Sequence, residues 1–255
     1  MIPSRIHKVL STMAAHRVQA LLMGGQACVL YGAAEFSRDV DFSILPDAAN
    51  MKRLKRAMRE LKARCIAVPP FAVDYLLRGH AVHFRCHHPD AEEIRVDVMA
   101  CLRDMDDFAE LWKRRTTLVS GDGTPYELLS PADLVQAKKT QRDKDWLMLR
   151  RLTEVYYFQN RRSKTPDKIR FWLKDLRTPE LLLEAAAAQP ELSRELASER
   201  PLLLPALAND RAEVVRLLAQ EEQALRERDR LYWLPLKAEL ETLRHQRLRR
   251  SRGKS

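Results

Sequence analysis

No stretch of the 255 residues approaches the roughly 18 uninterrupted apolar residues that make a membrane-crossing helix. The nearest run, residues 181–188, is broken by Glu184. A secretory leader is missing its centre as well. The N-terminus is basic, but the run Val18 to Met23 is shorter than the about 7–15 apolar residues a leader needs, and it leads straight into Gly24-Gly25. A cytoplasmic protein with no membrane partner is the expectation. Cys28, Cys65, Cys86 and Cys101 lie scattered with no C-x-x-C pair, which leaves reduced thiols in packing positions. Repeats of fixed period, sustained heptads and low-complexity tracts are absent, excluding solenoids and long coiled coils. Zinc spacing is absent too. His80, His83, Cys86, His87 and His88 are suitable ligand types, yet strand alternation sends His83 to the face opposite His80 and Cys86.

What is present is enough apolar material for a sizeable core, 45% of residues, and a strongly basic balance of +10. That charge favours anionic partners without choosing among nucleic acid, nucleotides and membrane surfaces. The length allows one or two domains. A polar, charged stretch at 160–166 is the best boundary, giving domains at 1–160 and 161–255.

The chemistry concentrates in residues 24–44, GGQACVLYGAAEFSRDVDFSI. Val18 to Met23 reads as a buried strand ended by two glycines, and Gln26 to Tyr31 begins a helix whose free N–H groups can face an anion. Val40 to Ile44 alternates as a second strand, with Asp39 at its mouth. Because strand side chains repeat every two residues, Asp39 and Asp41 share a face. Two carboxylates so placed suit Mg²⁺, which takes few protein ligands and fills the rest from water and phosphate. Ile94 to Ala100 is a further strand, with Asp97 amid apolar neighbours where an ionised group must be paired or metal-bound. Each element alone is commonplace: a Gly-Gly is usually a turn and Asp-x-Asp usually a polar strand face. Their order, strand, Gly-Gly, helix, strand with Asp-x-Asp, then a third Asp, is far more specific.

The rest of the chain supports that arrangement. Asp47 or Asn50 caps a helix reaching about Arg64, with Met51, Leu54, Met58 and Leu61 as its apolar stripe. Residues 81–86 and 94–101 read as neighbouring strands, and 116–129 as a hairpin around Gly-Asp-Gly. Ser130-Pro131 opens a helix carrying Lys138 and Lys139, and another starts near Lys144. Beyond residue 160 the pattern is helical: short helices separated by prolines, a longer one from Asp210 that Pro235 ends, and a last helix. The tail from Arg244 is basic and either frays or binds an anion.

These residues resemble the nucleotidyltransferase superfamily that includes polymerase beta, with its Gly-Gly turn, Asp-x-Asp strand and third Asp. The likeness is closer to AbiEii-type nucleotidyltransferases, on Gly24 to Ala27, on Ser37 to Phe42, and on Ser130 to Lys138 followed by Arg142 to Asp145. It covers roughly the first 160 residues. Glu35 and Met148 depart from that group's usual Arg and Asp. The resemblance implies an α+β fold, a minimal nucleotidyltransferase mixed sheet flanked by helices and followed by a C-terminal helical bundle. It implies two Mg²⁺ ions on Asp39, Asp41 and Asp97, and a nucleoside triphosphate contacted by Gly24, Gly25, Ser37, Arg38, Lys138 and Lys144. It further implies an RNA acceptor, such as tRNA, and a toxin role with an antitoxin partner. Two other readings stand beside it: transfer to a small aminoglycoside-like acceptor, and a catalytically silent nucleic-acid binder.

Overall fold

Helical and alternating patterns settle most of the first half. The computed structural model describes residues 3–252. It opens on α1 (Ser4–Ala15), which buries Ile6, Val9, Leu10 and Met13 at helical spacing. Then come β1 (Ala20–Met23), α2 (Gly24–Leu30), β2 (Asp39–Ile44) and α3 (Ala48–Glu60). Asp47 is the N-cap of α3 and accepts from the Asn50 amide. Asn50 itself is buried: its amide side chain bonds the backbone of Gln19 and Leu45, tying α3 to the ends of β1 and β2.

The chain continues through β3 (Arg64–Cys65), α4 (Val73–Leu77), β4 (Val82–Arg85), a 3-10 turn at Pro89–Ala91, β5 (Arg95–Met99), α5 (Phe108–Lys113), β6 (Thr116–Val119), β7 (Pro125–Leu128) and α6 (Pro131–Ala137). Its strands form one sheet in the order β3-β4-β5-β2-β1-β7-β6. β2 runs parallel to β5, and β1 parallel to β7; the other pairs are antiparallel. Alternation sorts the two faces. Val40, Phe42, Ile44, Val82, Phe84, Val96 and Val98 are buried on one side. Each adds about 1.5–3 kcal/mol by leaving water, and together they fix the register of the polar residues on the other side.

Helices follow: α7 (Asp143–Asn160), α8 (Pro166–Asp175), α9 (Pro179–Ala188), α10 (Pro190–Leu196), α11 (Leu203–Leu207) and α12 (Arg211–Arg252). The fold is thus α+β, a mixed seven-stranded sheet with helices and then a C-terminal helical region. By internal contacts the chain forms two units. One comprises the residues up to Leu30, Glu35–Ala137 and Leu231 onward; the other comprises Tyr31–Ala34 and Lys138–Arg230. α7 lies before the boundary read at residue 160, yet its contacts place it in the second unit. There Tyr157 meets Trp172 edge-on at 5.0 Å and Tyr156 meets Phe171 at 5.1 Å, joining α7 to α8.

Pro235 does not end a helix as expected: α12 runs through it to Arg252. A mid-helix proline removes one backbone donor and crowds the preceding turn. The turns beyond are held from outside, by burial of Leu236 and by Glu239, which pairs with Arg78 at 2.8 Å and with buried His80 at 2.7 Å. The basic tail is helical through Arg252, and its last residues, 253–255, lie outside the described residues.

Candidate active site

The polar face of the sheet gathers the carboxylates. β2 presents Asp39 and Asp41, β5 presents Arg95 and Asp97, and β4 presents His83. Parallel pairing sets Asp39 opposite Arg95 and Asp41 opposite Asp97, and antiparallel pairing sets His83 opposite Asp97. A row His83, Asp97, Asp41 therefore crosses three strands, with Arg95 and Asp39 one step along. Neighbouring strands stand about 4.8 Å apart. Two ionised carboxylates at roughly 5 Å repel by about 3 kcal/mol at an effective dielectric near 20, so the row needs a cation.

Arg95 is one cation that the structure supplies. Its Nε donates to Asp97 Oδ1 and its Nη2 to Asp97 Oδ2, both at 2.8 Å, a two-pronged fit of planar guanidinium to carboxylate. His83 Nδ1 lies 2.9 Å from Asp97 Oδ1 and 3.0 Å from Arg95 Nη2. One ring nitrogen cannot donate to the carboxylate and also accept from the guanidinium. The proton on Nδ1 suits the carboxylate, since Arg95 Nη2 already has Asp97 as its acceptor. Burial by itself would raise the Asp97 carboxyl, but hydrogen bonds from His83 and Arg95 and their charges outweigh it and hold the group below its ordinary range. Arg95 is pushed up by its hydrogen bond to Asp97, against desolvation, with further help from the charges of Asp97, Asp39 and Asp41. The guanidinium thus feels all three carboxylates.

The Gly-Gly turn is explained by the same carboxylates. Met23, the last residue of β1, pairs with Asp41. Gly24 follows at φ +68°, and a Cβ there would stand 1.9 Å from Asp41 Oδ2 and 2.6 Å from its Cγ. At Gly25 a Cβ would stand 2.7 Å from Ser37 Oγ. Ser37 Oγ in turn donates to the Asp39 backbone carbonyl at 3.1 Å. Glycine at both positions admits the site's own Asp41 and Ser37, a reason that does not require a phosphate. Arg38 is exposed, and with Ser37 it lines a surface hollow of about 380 Å³ shared with Pro3, Arg5, Glu92, Glu93 and Ile94. The hollow opens beside the starts of β2 and β5.

Lys138 and Lys144 belong to the second unit. Lys138 is buried, its Nζ 2.9 Å from Asp145 Oδ1, and Asp145 also accepts from Thr140 Oγ1 at 2.7 Å and Arg142 Nε at 2.6 Å. Burial would raise Asp145, but Lys138, Thr140 and Arg142 outweigh it and lower the group. Lys144 is exposed in the first turn of α7.

The structure therefore brings together Asp39, Asp41, Asp97, Gly24, Gly25 and Ser37, and adds Arg95, which the sequence reading did not single out, and His83, which it weighed only among zinc ligands. Arg95 carried a signal: it precedes Asp97 by two residues on a strand, and so shares its face. His83 carried none without the register of β4. Carboxylate oxygens on one face suit a hard divalent cation, and Asp39 and Asp41 fit that use. Asp97 fits it to the extent that Arg95 yields. As the side chains stand, no group of three or more His, Cys, Asp or Glu among the described residues forms a ready metal centre.

No protein-family model matches the chain, and no curated protein matches it. Among solved structures it is similar to a candidate nucleotidyltransferase from H. pylori, at 16% identity over 89% of this chain and 93% of that one, with a TM-score of 0.43. It is also similar to the antibiotic-resistance factor ANT(2'')-Ia, at 12% identity over 86% of this chain and 96% of that one, with a TM-score of 0.34. Likeness at this level carries no functional argument, so the function rests on the geometry of the chain itself.

Proposed function

We propose that the chain is a metal-dependent nucleotidyltransferase, moving a nucleotidyl group from a nucleoside triphosphate to a hydroxyl. One observation carries this: Asp39, Asp41 and Asp97 share one face of two parallel strands, with Asp41 and Asp97 in register beside a glycine turn. A sheet that only needed solubility gains nothing from stacking like charges. In the proposed reaction the acceptor oxygen bonds to the α-phosphorus, the bond from that phosphorus to the bridging oxygen breaks, pyrophosphate leaves, and the hydroxyl proton passes to solvent. Bound Mg²⁺ would polarise the phosphoryl oxygens and ease loss of the hydroxyl proton.

Asp39 and Asp41 hold the Mg²⁺ in this reading, and Asp97 completes the carboxylate set. Ser37 and Arg38, at the rim of the adjoining hollow, offer a hydroxyl and a cation to the triphosphate. Gly24 and Gly25 keep that approach free of side chains. RNA is the acceptor to test first, since the chain's formal charge of +10 favours a polyanion over a cationic drug. The tRNA substrate, toxin role and antitoxin partner come with the resemblance to AbiEii-type enzymes and stand or fall with the acceptor.

The test is to incubate the protein with each α-labelled nucleoside triphosphate, Mg²⁺ and total RNA. Label on RNA that Asp41→Asn abolishes is the expected result. Label on a small molecule instead would keep the transferase and replace the acceptor. No label on any molecule, from protein shown to be folded, would contradict the proposal.

A further inference from the structure

We propose that the outward face of α7 is a docking surface for single-stranded RNA, with phosphates held on Arg150, Arg151 and Arg161 and a base stacked on Phe158. The identity of the polyanion rests on the RNA acceptor proposed above. Helical spacing makes the face. Leu147, Arg150 and Arg151 stand three and four residues apart, and Phe158 and Arg161 return to the same side seven residues after Arg151 and eleven after Arg150. All five are exposed. Arg161 is the C-cap and keeps helical backbone angles. On the opposite side Trp146, Leu149, Leu152, Thr153 and Tyr157 are buried, so the helix turns its apolar stripe inward and this mixed arginine and apolar stripe to solvent.

Other arginines of the second unit are paired with carboxylates: Arg142 with Asp145, Arg170 with Glu195, and Arg226 with Asp143 and Glu222. Among the described residues no carboxylate pairs with Arg150, Arg151 or Arg161. Glu154 shares their side of the helix, but it accepts from Thr178 Oγ1, ahead of α9. A cation at a helix C-terminus is favoured by the helix dipole, which accounts for Arg161 but not for Arg150 and Arg151 in mid-helix. Phe158 is 52% exposed, with Arg161 Cζ over its ring at 5.2 Å from the centre. Binders of single strands combine these two elements, cations that follow the phosphates and aromatic rings on which bases stack. Charge alone does not choose α7. Lys52, Lys55, Arg56 and Arg59 are exposed on α3, but that helix contains no aromatic residue. A membrane surface would need the apolar side of the helix, which is already buried in the protein.

The experiment titrates the full chain against a fluorescein-labelled, mixed-sequence single-stranded RNA of about 12 nucleotides, reading anisotropy from about 50 to 200 mM KCl. Arg150→Gln combined with Arg151→Gln should weaken binding and flatten the slope of log affinity against log salt by about 1.4, roughly 0.7 for each lost phosphate contact. Phe158→Ala should weaken binding roughly 5- to 100-fold with the slope unchanged, and Phe158→Trp should bind as tightly as wild type. The charge-matched pair Lys52→Gln with Arg56→Gln on α3 should leave the affinity nearly as it is. The inference is overturned if the α3 pair flattens the slope as much as the α7 pair, if folded Phe158→Ala binds like wild type, or if the wild-type chain binds no RNA at the lowest salt. Transfer from the four α-labelled nucleoside triphosphates to total RNA is measured on the same proteins. Labelled RNA with binding unchanged in both α7 variants would overturn the docking surface alone. RNA held through α7 with no label transferred would overturn the transferase and leave the docking surface standing.

Discussion

Replacing Gly24 by alanine should damage both the fold and the site, and the size of the damage follows from two separate strains. The left-handed backbone at φ +68° costs an L-residue about 1–2 kcal/mol. The added Cβ would meet Asp41 Oδ2 at 1.9 Å and its Cγ at 2.6 Å, and forcing atoms into packed space costs about 1–3 kcal/mol. A total of roughly 2–5 kcal/mol corresponds to a drop in Tm of roughly 5–15 °C for a chain of this size. The two parts can be separated by a double-mutant cycle. Asp41→Ala removes the carboxylate that the new methyl strikes most closely but leaves the backbone strain and the residue-41 Cβ at 2.9 Å. Gly24→Ala should therefore cost about 1–3 kcal/mol less in the Asp41→Ala background than in wild type. Thermal and denaturant unfolding of the four proteins measures this. A Gly24→Ala protein as stable as wild type, or a cycle that is strictly additive, would refute the claim that Asp41 dictates glycine at position 24.

Three further outcomes follow from the same structure. Asp39→Asn and Asp41→Asn should each lower nucleotidyl transfer on the order of a hundredfold or more while leaving Tm nearly unchanged, since volume is kept and metal-binding charge is lost; near-normal turnover in either would remove that residue from the site. Glu60, bound by Lys8, His16 and Thr12, has its carboxyl lowered from 4.5 to about 2, so its contribution is fully present above pH 4.5 and is lost as pH falls from there toward 2. Its partial exposure discounts the effect to about 1 kcal/mol, and unfolding of Glu60→Gln should show a shallower loss of stability across that acid window than wild type; identical curves would contradict the assignment. Asp145→Ala leaves Lys138 buried without its carboxylate and should cost about 3–5 kcal/mol by denaturant unfolding, whereas Lys138→Met combined with Asp145→Leu should cost much less; equal losses in the two proteins would show that charge pairing is not what matters there.

The site was legible in the sequence where period-two patterns carry it. Val40, Phe42 and Ile44 alternate with Asp39, Asp41 and Ser43, so the strand and its polar face could both be read, and the same holds for Val96 and Val98 around Asp97. The demand that Asp97 be paired or metal-bound was also readable, but its answer was not, because metal and Arg95 satisfy the same requirement. Only the register of β2 against β5 shows the guanidinium lying among the carboxylates. His83 joins the site through the pairing of β4 with β5, a non-local fact that no window of sequence contains. Short elements escaped for a different reason. β3 has two residues, both exposed, so it has no alternation to detect; α4 spans Val73–Leu77 and starts without a side-chain cap. Pro235 misled because local propensity was given more weight than the tertiary contacts of Leu236 and Glu239, which carry the helix past it.

The most direct test of the central claim is a paired labelling of the nucleoside triphosphate, with the label on the α-phosphate in one reaction and on the γ-phosphate in the other. Each reaction contains Mg²⁺ and RNA and is run with wild-type protein and with Asp41→Asn. The account predicts that α-label becomes attached to the RNA, that γ-label appears only in released pyrophosphate, and that both signals vanish in the variant. Transfer of γ-label to the RNA, or transfer of α-label undiminished by Asp41→Asn, would contradict a nucleotidyltransferase built on Asp39 and Asp41.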